Sequence, residues 1–290
     1  MNDYIIMVDA SADLPSEYYA ENNIELVTMT FTLDGKAFTD DAGVSISYKE
    51  FYAKMRAGSV SGTSMTNVEK YVALYKKFLG EGKDVLSLVL SSGISGSYNS
   101  ARLAAEEVAP LFPDRKLYAI DGLMASLGGG LLTDYCVKMR AEGKSIDEVA
   151  KWVYENRLNI QHLFTADDLM FLQRGGRISK SAAVLGSIIG VKPMMDVTAE
   201  GKLQPCHKKR GRKGALDGLA EWMETRCDTK EIDTIAVSHG DCEEEADYLI
   251  AKVKEKFKVG SVIKNYIGPL IGSHSGPGTV ALFFYGKKRV

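Results

Sequence analysis

Hydrophobic and polar positions divide the first half of the chain into short apolar runs, each ending in a polar turn before an amphipathic stretch. Tyr4–Val8, Val85–Leu90 and Leu117–Ile120 are runs of strand length, and Glu25–Phe31 reads as a further strand. Asp34-Gly35 is the signature of a tight hairpin. Ser47 with Glu50, Thr66 with Glu69 and Ser145 with Glu148 have capping-box spacing and mark three helix starts. Repetition of strand, turn and helix predicts a parallel sheet covered by helices, with ligands expected at the carboxyl ends of its strands.

The second half is patterned differently. Gln161–Thr165 is strand-like, Asp167–Leu172 a short helix, and Arg174-Gly-Gly-Arg177 a loop before an apolar helix, Ser179–Ile189. Lys192–Val197 and Lys202–Cys206 predict two strands joined at Glu200-Gly201, and strands at Thr234–Ser238, Ser261–Ile267 and Thr279–Tyr285 follow with two longer helices. The change of pattern places a domain boundary near Leu158, giving domains 1–158 and 159–290. Ile267–Gly278, with its glycines and two prolines, reads as a rigid turn between strands that fixes one histidine, His274.

The most informative turn is Ser91-Ser-Gly-Ile-Ser-Gly-Ser97, between a largely aliphatic strand and a helix. Its glycines permit close approach of backbone to a ligand, and amides at a helix start favour an anion such as phosphate or carboxylate. A simpler reading, serines that only cap the helix, stands beside it. Gly62-Thr-Ser-Met-Thr66 reads as a second polar turn of the same kind.

Composition narrows the chemistry. The 290 residues are 45% hydrophobic and 26% charged, with a net charge of −2, which argues against a dedicated nucleic-acid binder. No apolar run has membrane-spanning length, and Met1-Asn2-Asp3 is not a basic leader start, so cytoplasmic residence is expected. The four cysteines have no C-x-x-C spacing and the four histidines no metal-site spacing, so no metal is expected. No P-loop, no G-x-G-x-x-G after the first strand and no G-x-S-x-G elbow is present. The Asp9-x-Ser-x-Asp13 turn lacks the glycine and glutamate of a calcium loop and reads as a shaped strand–helix turn. Gly128-Gly-Gly130 inside a helical stretch points to close packing. The basic run His207–Lys213 is either a solvated loop or a docking surface for an acidic or phosphorylated partner, and Arg177 is a candidate to join it.

In order along the chain, Asp9-Ala-Ser-Ala-Asp-Leu-Pro15, Thr63-Ser64, Ser91–Tyr98 with Ser100-Ala101 and Asp121 with Gly128 are followed by four further pieces. These are Leu169-x-x-Leu172-x-x-Gly-Gly-Arg-Ile-Ser179, Lys192-Pro193, His239-Gly-Asp241 and Ile267-Gly-x-x-Ile-Gly-x-His-x-Gly-Pro-Gly278. Together they resemble the bacterial DegV family over the whole length. One departure is Met65-Thr66, where many members carry Gln-Pro, a change expected to alter the entrance or capping of the site.

The resemblance implies an α/β protein of two domains. The N-terminal one is a three-layer α/β/α unit with a parallel sheet, the C-terminal one a two-layer α/β unit with a mixed sheet. It implies one long-chain fatty acid, such as palmitate, stearate or oleate, bound between them, with no other cofactor and no catalytic residue. The carboxylate is then expected at Thr63, Ser95 and His274, helped by Ser64 and Gly96. Candidates along the tail are Phe164, Leu169, Phe171 and Ile178, the helix residues Val184, Leu185, Ile188 and Ile189, and Met194. The resemblance also implies a fatty acid kinase as partner, for which Arg177, Arg210, Arg212 and Lys213 are docking candidates. A monomer with only transient membrane contact is expected. Two rivals remain open: an acyl hydrolase using Ser95 and His274, and a carrier of another amphipathic carboxylate or phospholipid without a kinase.

Overall fold

A computed structural model describes residues 3–181 and 190–290. The chain opens with β1 (Tyr4–Asp9), α1 (Ser16–Glu21), β2 (Ile24–Val27), β3 (Met29–Leu33), β4 (Lys36–Asp40), α2 (Tyr48–Arg56) and β5 (Ser61–Thr63). It continues with α3 (Val68–Gly80), β6 (Asp84–Val89), α4 (Ser97–Val108), β7 (Leu117–Asp121), α5 (Leu127–Ala141) and α6 (Ile146–Asn156). Beyond these come β8 (Ile160–Thr165), α7 (Met170–Arg174), β9 (Val191–Val197), β10 (Leu203–Arg210), α8 (Arg212–Arg226) and β11 (Glu231–His239). The last elements are α9 (Glu243–Lys256), β12 (Lys258–Tyr266), α10 (Pro269–Ser275) and β13 (Val280–Tyr285).

The first sheet has the order β2-β1-β6-β7 and is parallel throughout. Strand parity divides its side chains. Ile5, Met7, Val85 and Val89 pack with residues of α3 and α4, such as Tyr71, Tyr75 and Ala101. Ile6, Val8, Leu86 and Leu88 face the other way, onto Leu127 and Leu131 of α5 and Val149 of α6. The second sheet, β10-β9-β8-β13-β11-β12, is mixed, as expected for the C-terminal half. One face carries Leu163, Met194, Val237 and Leu282 onto α8 and α9, while Phe164, Met195, Ala236 and Phe283 face the core shared with α5. Helix α5 therefore lies between the two sheets.

The glycines of α5 make that position possible. A Cβ on Gly128 would overlap the His162 ring of β8, and one on Gly130 would come within 2.9 Å of the Ala12 carbonyl. A residue larger than glycine at either place would push the sheets apart.

Several elements differ from the sequence reading, each for a local reason. The run Glu25–Phe31 breaks at Thr28 into β2 of the parallel sheet and β3 of a separate antiparallel sheet, β4-β3-β5. The segment around Gly62 is not a strand–helix turn, since Ser61–Thr63 pairs as β5 with β3, placing Thr63 opposite Phe31. Asn67, rather than Thr66, caps α3 by accepting the Lys70 amide at 3.1 Å, while Thr66 gives its amide to Ser97. The basic run is mostly the end of edge strand β10, where cationic side chains suit an unpaired strand edge. Most consequential, the glycine-rich segment after β12 contains a helix, α10, with Pro269 in its first turn and Gly276 at φ +78° ending it. The tail candidates Val184, Leu185, Ile188 and Ile189, expected on a helix, lie outside the described residues.

Candidate functional site

The Asp9–Asp13 turn anchors the site. Asp9 accepts the amides of Ser11 at 3.1 Å and Leu90 at 2.8 Å, tying the end of β1 to the end of β6. Asp13, fully buried, accepts the Ser126 hydroxyl at 2.5 Å and the Gly268 amide at 2.9 Å. Asp40 accepts the Leu270 amide at 3.0 Å. These two carboxylates satisfy amides at the start of α10, whose C-terminal turn carries His274. Burial raises both: Asp13 well above the carboxylate range and Asp40 to about 7.

His274 meets Thr63, with Nε2 2.7 Å from Thr63 Oγ1, and its Nδ1 is buried without a hydrogen-bond partner among the described residues. Burial, assisted by the nearby Arg177 guanidinium, depresses His274 to about 4, so the ring is neutral at ordinary pH. Of the two neutral tautomers, the one with hydrogen on Nε2 leaves only a lone pair unpaired at Nδ1, rather than a buried N–H. In that tautomer His274 donates to Thr63 Oγ1, and the Thr63 O–H is free to point at a ligand. Next to this pair, Ser61 and Ser273 hydroxyls are 2.6 Å apart, a second clasp between β5 and α10.

Ser95 comes from the turn after β6. Its Oγ accepts the Ser97 amide at 3.2 Å and lies 3.1 Å from Ser97 Oγ, one residue before the Gly96 N-cap of α4, and the residue faces the same cavity as Thr63 and His274. The Gly96 N-cap itself receives no side-chain hydrogen bond, so the serine-cap reading of this turn reduces to the Ser95–Ser97 contact. Its two glycines serve different ends. Gly93 is crossed by the β9–β10 turn, whose Glu200 carbonyl would lie 2.6 Å from a Cβ there, so backbone rather than ligand uses that clearance. Gly96 is covered by Met65, whose sulfur would lie 2.5 Å from a Cβ. Met65 is 61% exposed and forms part of the rim at the position that departs from the family pattern. The Ser64 amide, expected to face an anion, is instead donated to the Thr30 carbonyl at 3.0 Å, leaving only its hydroxyl.

Behind these groups lies a cavity of about 290 Å³, at the lower end of small-molecule sites. Its apolar wall includes Leu90, Ile94, Phe164, Leu172, Ala281 and Phe283. Phe164 was expected there; Leu172, Ala281 and Phe283 were not singled out, although Ala281 and Phe283 share one strand face with cross-strand partners on β8. Other tail candidates stand elsewhere. Met194 points to the opposite face of its sheet, under Gly218 of α8. Leu169 is packed in the shared core, and Phe171 lies against Gly276 and the Phe31–Phe51 cluster. Ile178 is buried beside a second, more open groove that shares Arg177.

The docking candidates separate in the same way. Arg177 is half-buried at the cavity, its Nε donating to the Ile94 carbonyl at 3.1 Å, and burial lowers its guanidinium from the ordinary value. Arg212 is paired with Glu245 and lies 3.8 Å from Asp167, so it is not a free surface cation. Arg210 and Lys213 are exposed. Among the described residues no group of His, Cys, Asp and Glu is arranged to hold a metal ion. Among them, too, no helix is long and apolar enough to cross a membrane.

A parallel sheet and a mixed sheet share one glycine-faced helix, with a hydroxyl-rimmed apolar cavity beside it, and define an α/β protein of two sheets. The model of the DegV family, described as "Uncharacterised protein, DegV family", matches residues 4–287, and the chain belongs to that family. A DegV domain-containing protein of Clostridium perfringens is 38% identical over 289 residues, covering 100% of this chain and 99% of its own. Among solved structures, a DegV family protein of Thermus thermophilus described by its fatty acid binding is 28% identical, with a TM-score of 0.87 over 99% of this chain and 100% of that one. DegV of Bacillus subtilis, described as a fatty acid binding protein, is 27% identical, with a TM-score of 0.85 and the same coverage.

Proposed function

We propose that this protein binds one long-chain fatty acid, with the carboxylate at Thr63 and Ser95 and the tail in the cavity lined by Phe164. The observation that carries the reading is the His274–Thr63 pair: a neutral imidazole 2.7 Å from a hydroxyl at the rim of an apolar cavity. It turns the hydroxyl into a donor, which a carboxylate leaving water requires. Arg177 and the N-terminal end of α4 add favourable potential for an anion. The acyl chain supplies most of the gross affinity, at about 0.8 kcal/mol per buried CH₂, before the costs of association. The fatty acid binding described for the Thermus and Bacillus proteins fits the same chemistry.

The geometry favours holding the acid over attacking an ester. His274 is engaged with Thr63, and Ser95 with the start of α4, so the two do not form a nucleophile–base pair. We further propose a division into lobes at residues 158 and 159, a cytoplasmic monomer with transient membrane contact, and presentation of the carboxylate to a fatty acid kinase docked over Arg210 and Lys213. Native mass spectrometry of protein purified from cells tests the central reading. A co-purifying mass equal to a C16–C18 free acid is expected; a phospholipid mass, or an empty protein that neither takes up labelled palmitate nor competes for it, overturns the reading.

A further inference from the structure

Of the run Gly175-Gly-Arg177 after α7, only Arg177 lines the cavity. The two glycines beside it have different causes. Gly176 stands at φ +73°, with nothing within 4 Å of a Cβ placed on it, so the turn itself requires it. Gly175 has φ −72° and ψ −8°, ordinary right-handed geometry that any residue adopts. The backbone therefore gives no reason for glycine at 175. A neighbour does: a Cβ there would lie 2.1 Å from His274 Nδ1, 3.0 Å from its Cε1 and 3.1 Å from its Cγ.

The polar groups of Gly175 are committed elsewhere. Its amide is donated to the Phe171 carbonyl at 3.1 Å, and its carbonyl accepts Nη1 of Arg177. His274 Nδ1 thus lies where the side chain of residue 175 would stand, buried and with no hydrogen-bond partner among the described residues. An N–H at Nδ1 would be a buried donor facing carbon, whereas a lone pair there costs less. The hydrogen then sits on Nε2, 2.7 Å from Thr63 Oγ1. Both sides of the contact are tied down. The first turn of α10 is held by Asp13 and Asp40, and Arg177 bonds the Leu172 and Ile94 carbonyls. A methyl group at 175 is therefore relieved by the His274 ring leaving Thr63.

Resting on the fatty-acid reading above, we infer that Gly175 is a positioning residue for the carboxylate site. By carrying no side chain it seats the His274 ring, keeps proton donors and acceptors away from Nδ1, and so fixes the tautomer whose Nε2–H is aimed at Thr63. The loop after α7 thereby decides whether the Thr63 hydroxyl is free to donate to a ligand.

Nitrogen NMR of the histidine rings in ligand-free protein, with palmitate titrations and thermal melts, tests this in wild type, Gly175→Ala, His274→Ala and the double variant. The wild type is expected to hold His274 as the Nε2–H tautomer at neutral pH, its signal assigned by loss in His274→Ala. Gly175→Ala is expected to show a mixture of tautomers and to bind palmitate more weakly by on the order of tenfold, the size of one net hydrogen bond. In the His274→Ala background the clash is gone. There Gly175→Ala is expected to change affinity by less than about twofold and not to lower the thermal midpoint, since alanine adopts that backbone without strain. A wild-type Nδ1–H tautomer, an unchanged tautomer or affinity in Gly175→Ala, or equal losses in both backgrounds overturns the positioning role and leaves fatty-acid binding intact. A wild type that takes up no palmitate overturns the parent reading, while the spectra and melts still decide what Gly175 does to the ring.

Discussion

Asp13 Oδ1 accepts the Gly268 amide at 2.9 Å, joining the turn after the first strand to a residue 255 positions later. The same carboxyl group takes the Ser126 hydroxyl at the start of α5, and its backbone carbonyl accepts Asn265 Nδ2 at 2.9 Å. Replacing Asp13 by alanine strands the buried Gly268 amide, at about 1–3 kcal/mol, and leaves the Ser126 hydroxyl with Ser238 alone. Asp13→Ala is expected to lose roughly 2–5 kcal/mol of stability in urea unfolding and to weaken fatty-acid binding through displacement of α10. Asp13→Asn, which keeps an acceptor, is expected to lose clearly less; equal losses would show that the hydrogen bonds are not what matters.

Two buried groups act on stability with opposite signs as pH changes. His274 is depressed from 6.5 to about 4, so the unfolded chain takes up its proton first, and stability falls as pH drops from 6.5 through 4. Asp40 is raised from 3.8 to about 7, so the folded chain holds its proton longer, and stability falls as pH rises from 3.8 through 7. Thermal midpoints measured across pH 4–8 without ligand are expected to show the acid-side loss reduced in His274→Gln and the neutral-side loss reduced in Asp40→Asn. If each variant keeps the wild-type slope on its own side, these groups do not set it.

Thr63 and Ser95 are separable by experiment. Thr63→Ala is expected to cost about 1–3 kcal/mol in fatty-acid binding with a small effect on unfolding, because its hydroxyl meets His274 and the proposed ligand. Ser95→Ala is expected to lower binding similarly and in addition to cost roughly 0.5–1.5 kcal/mol of stability, since it removes the acceptor of the Ser97 amide at the start of α4. Isothermal titration with palmitate alongside urea unfolding distinguishes the pair. Unchanged affinity in both places the carboxylate elsewhere.

Basic residues close in sequence are expected to behave differently. Arg210→Glu combined with Lys213→Glu is expected to impair kinase-coupled acyl-phosphate formation while sparing lipid binding and stability. Arg212→Glu is expected to destabilise the fold, because it sets a carboxylate against Glu245 and Asp167. Circular-dichroism melts of both proteins check the contrast; a stable Arg212→Glu protein would return that arginine to the surface patch.

Much of the framework was legible because it is local. Aliphatic runs such as Val85–Leu90 and the Ser145–Glu148 capping box declare strand and helix through nearest neighbours, and the capping box forms as expected. Thr63, Ser95 and His274 were legible through the resemblance, and the fold brings them to one cavity. What stayed hidden depends on distant packing. Met194 and Met195 are equally apolar, and only the pairing of β9 with its neighbours decides which of them faces the shared core. The Ser64 amide is withdrawn by Thr30 on a strand whose separation from β2 no periodicity announces. Glycine and proline around α10 suggested a loop, yet they stand at the two ends of a helix, where both residues also belong.

The sharing of α5 has a kinetic consequence. Its glycine face is fitted to His162 on one side and to Ala12 on the other, so parting the two sheets would strip apolar surface from both cores at once. On the fatty-acid reading, exchange of the ligand is expected to be cheapest by local yielding at the rim, where Met65 lies exposed over Gly96. On that reading the ligand loads and unloads through a small door in a rigid wall, and side chains at that door, more than the spring of a hinge, are expected to set how long it stays.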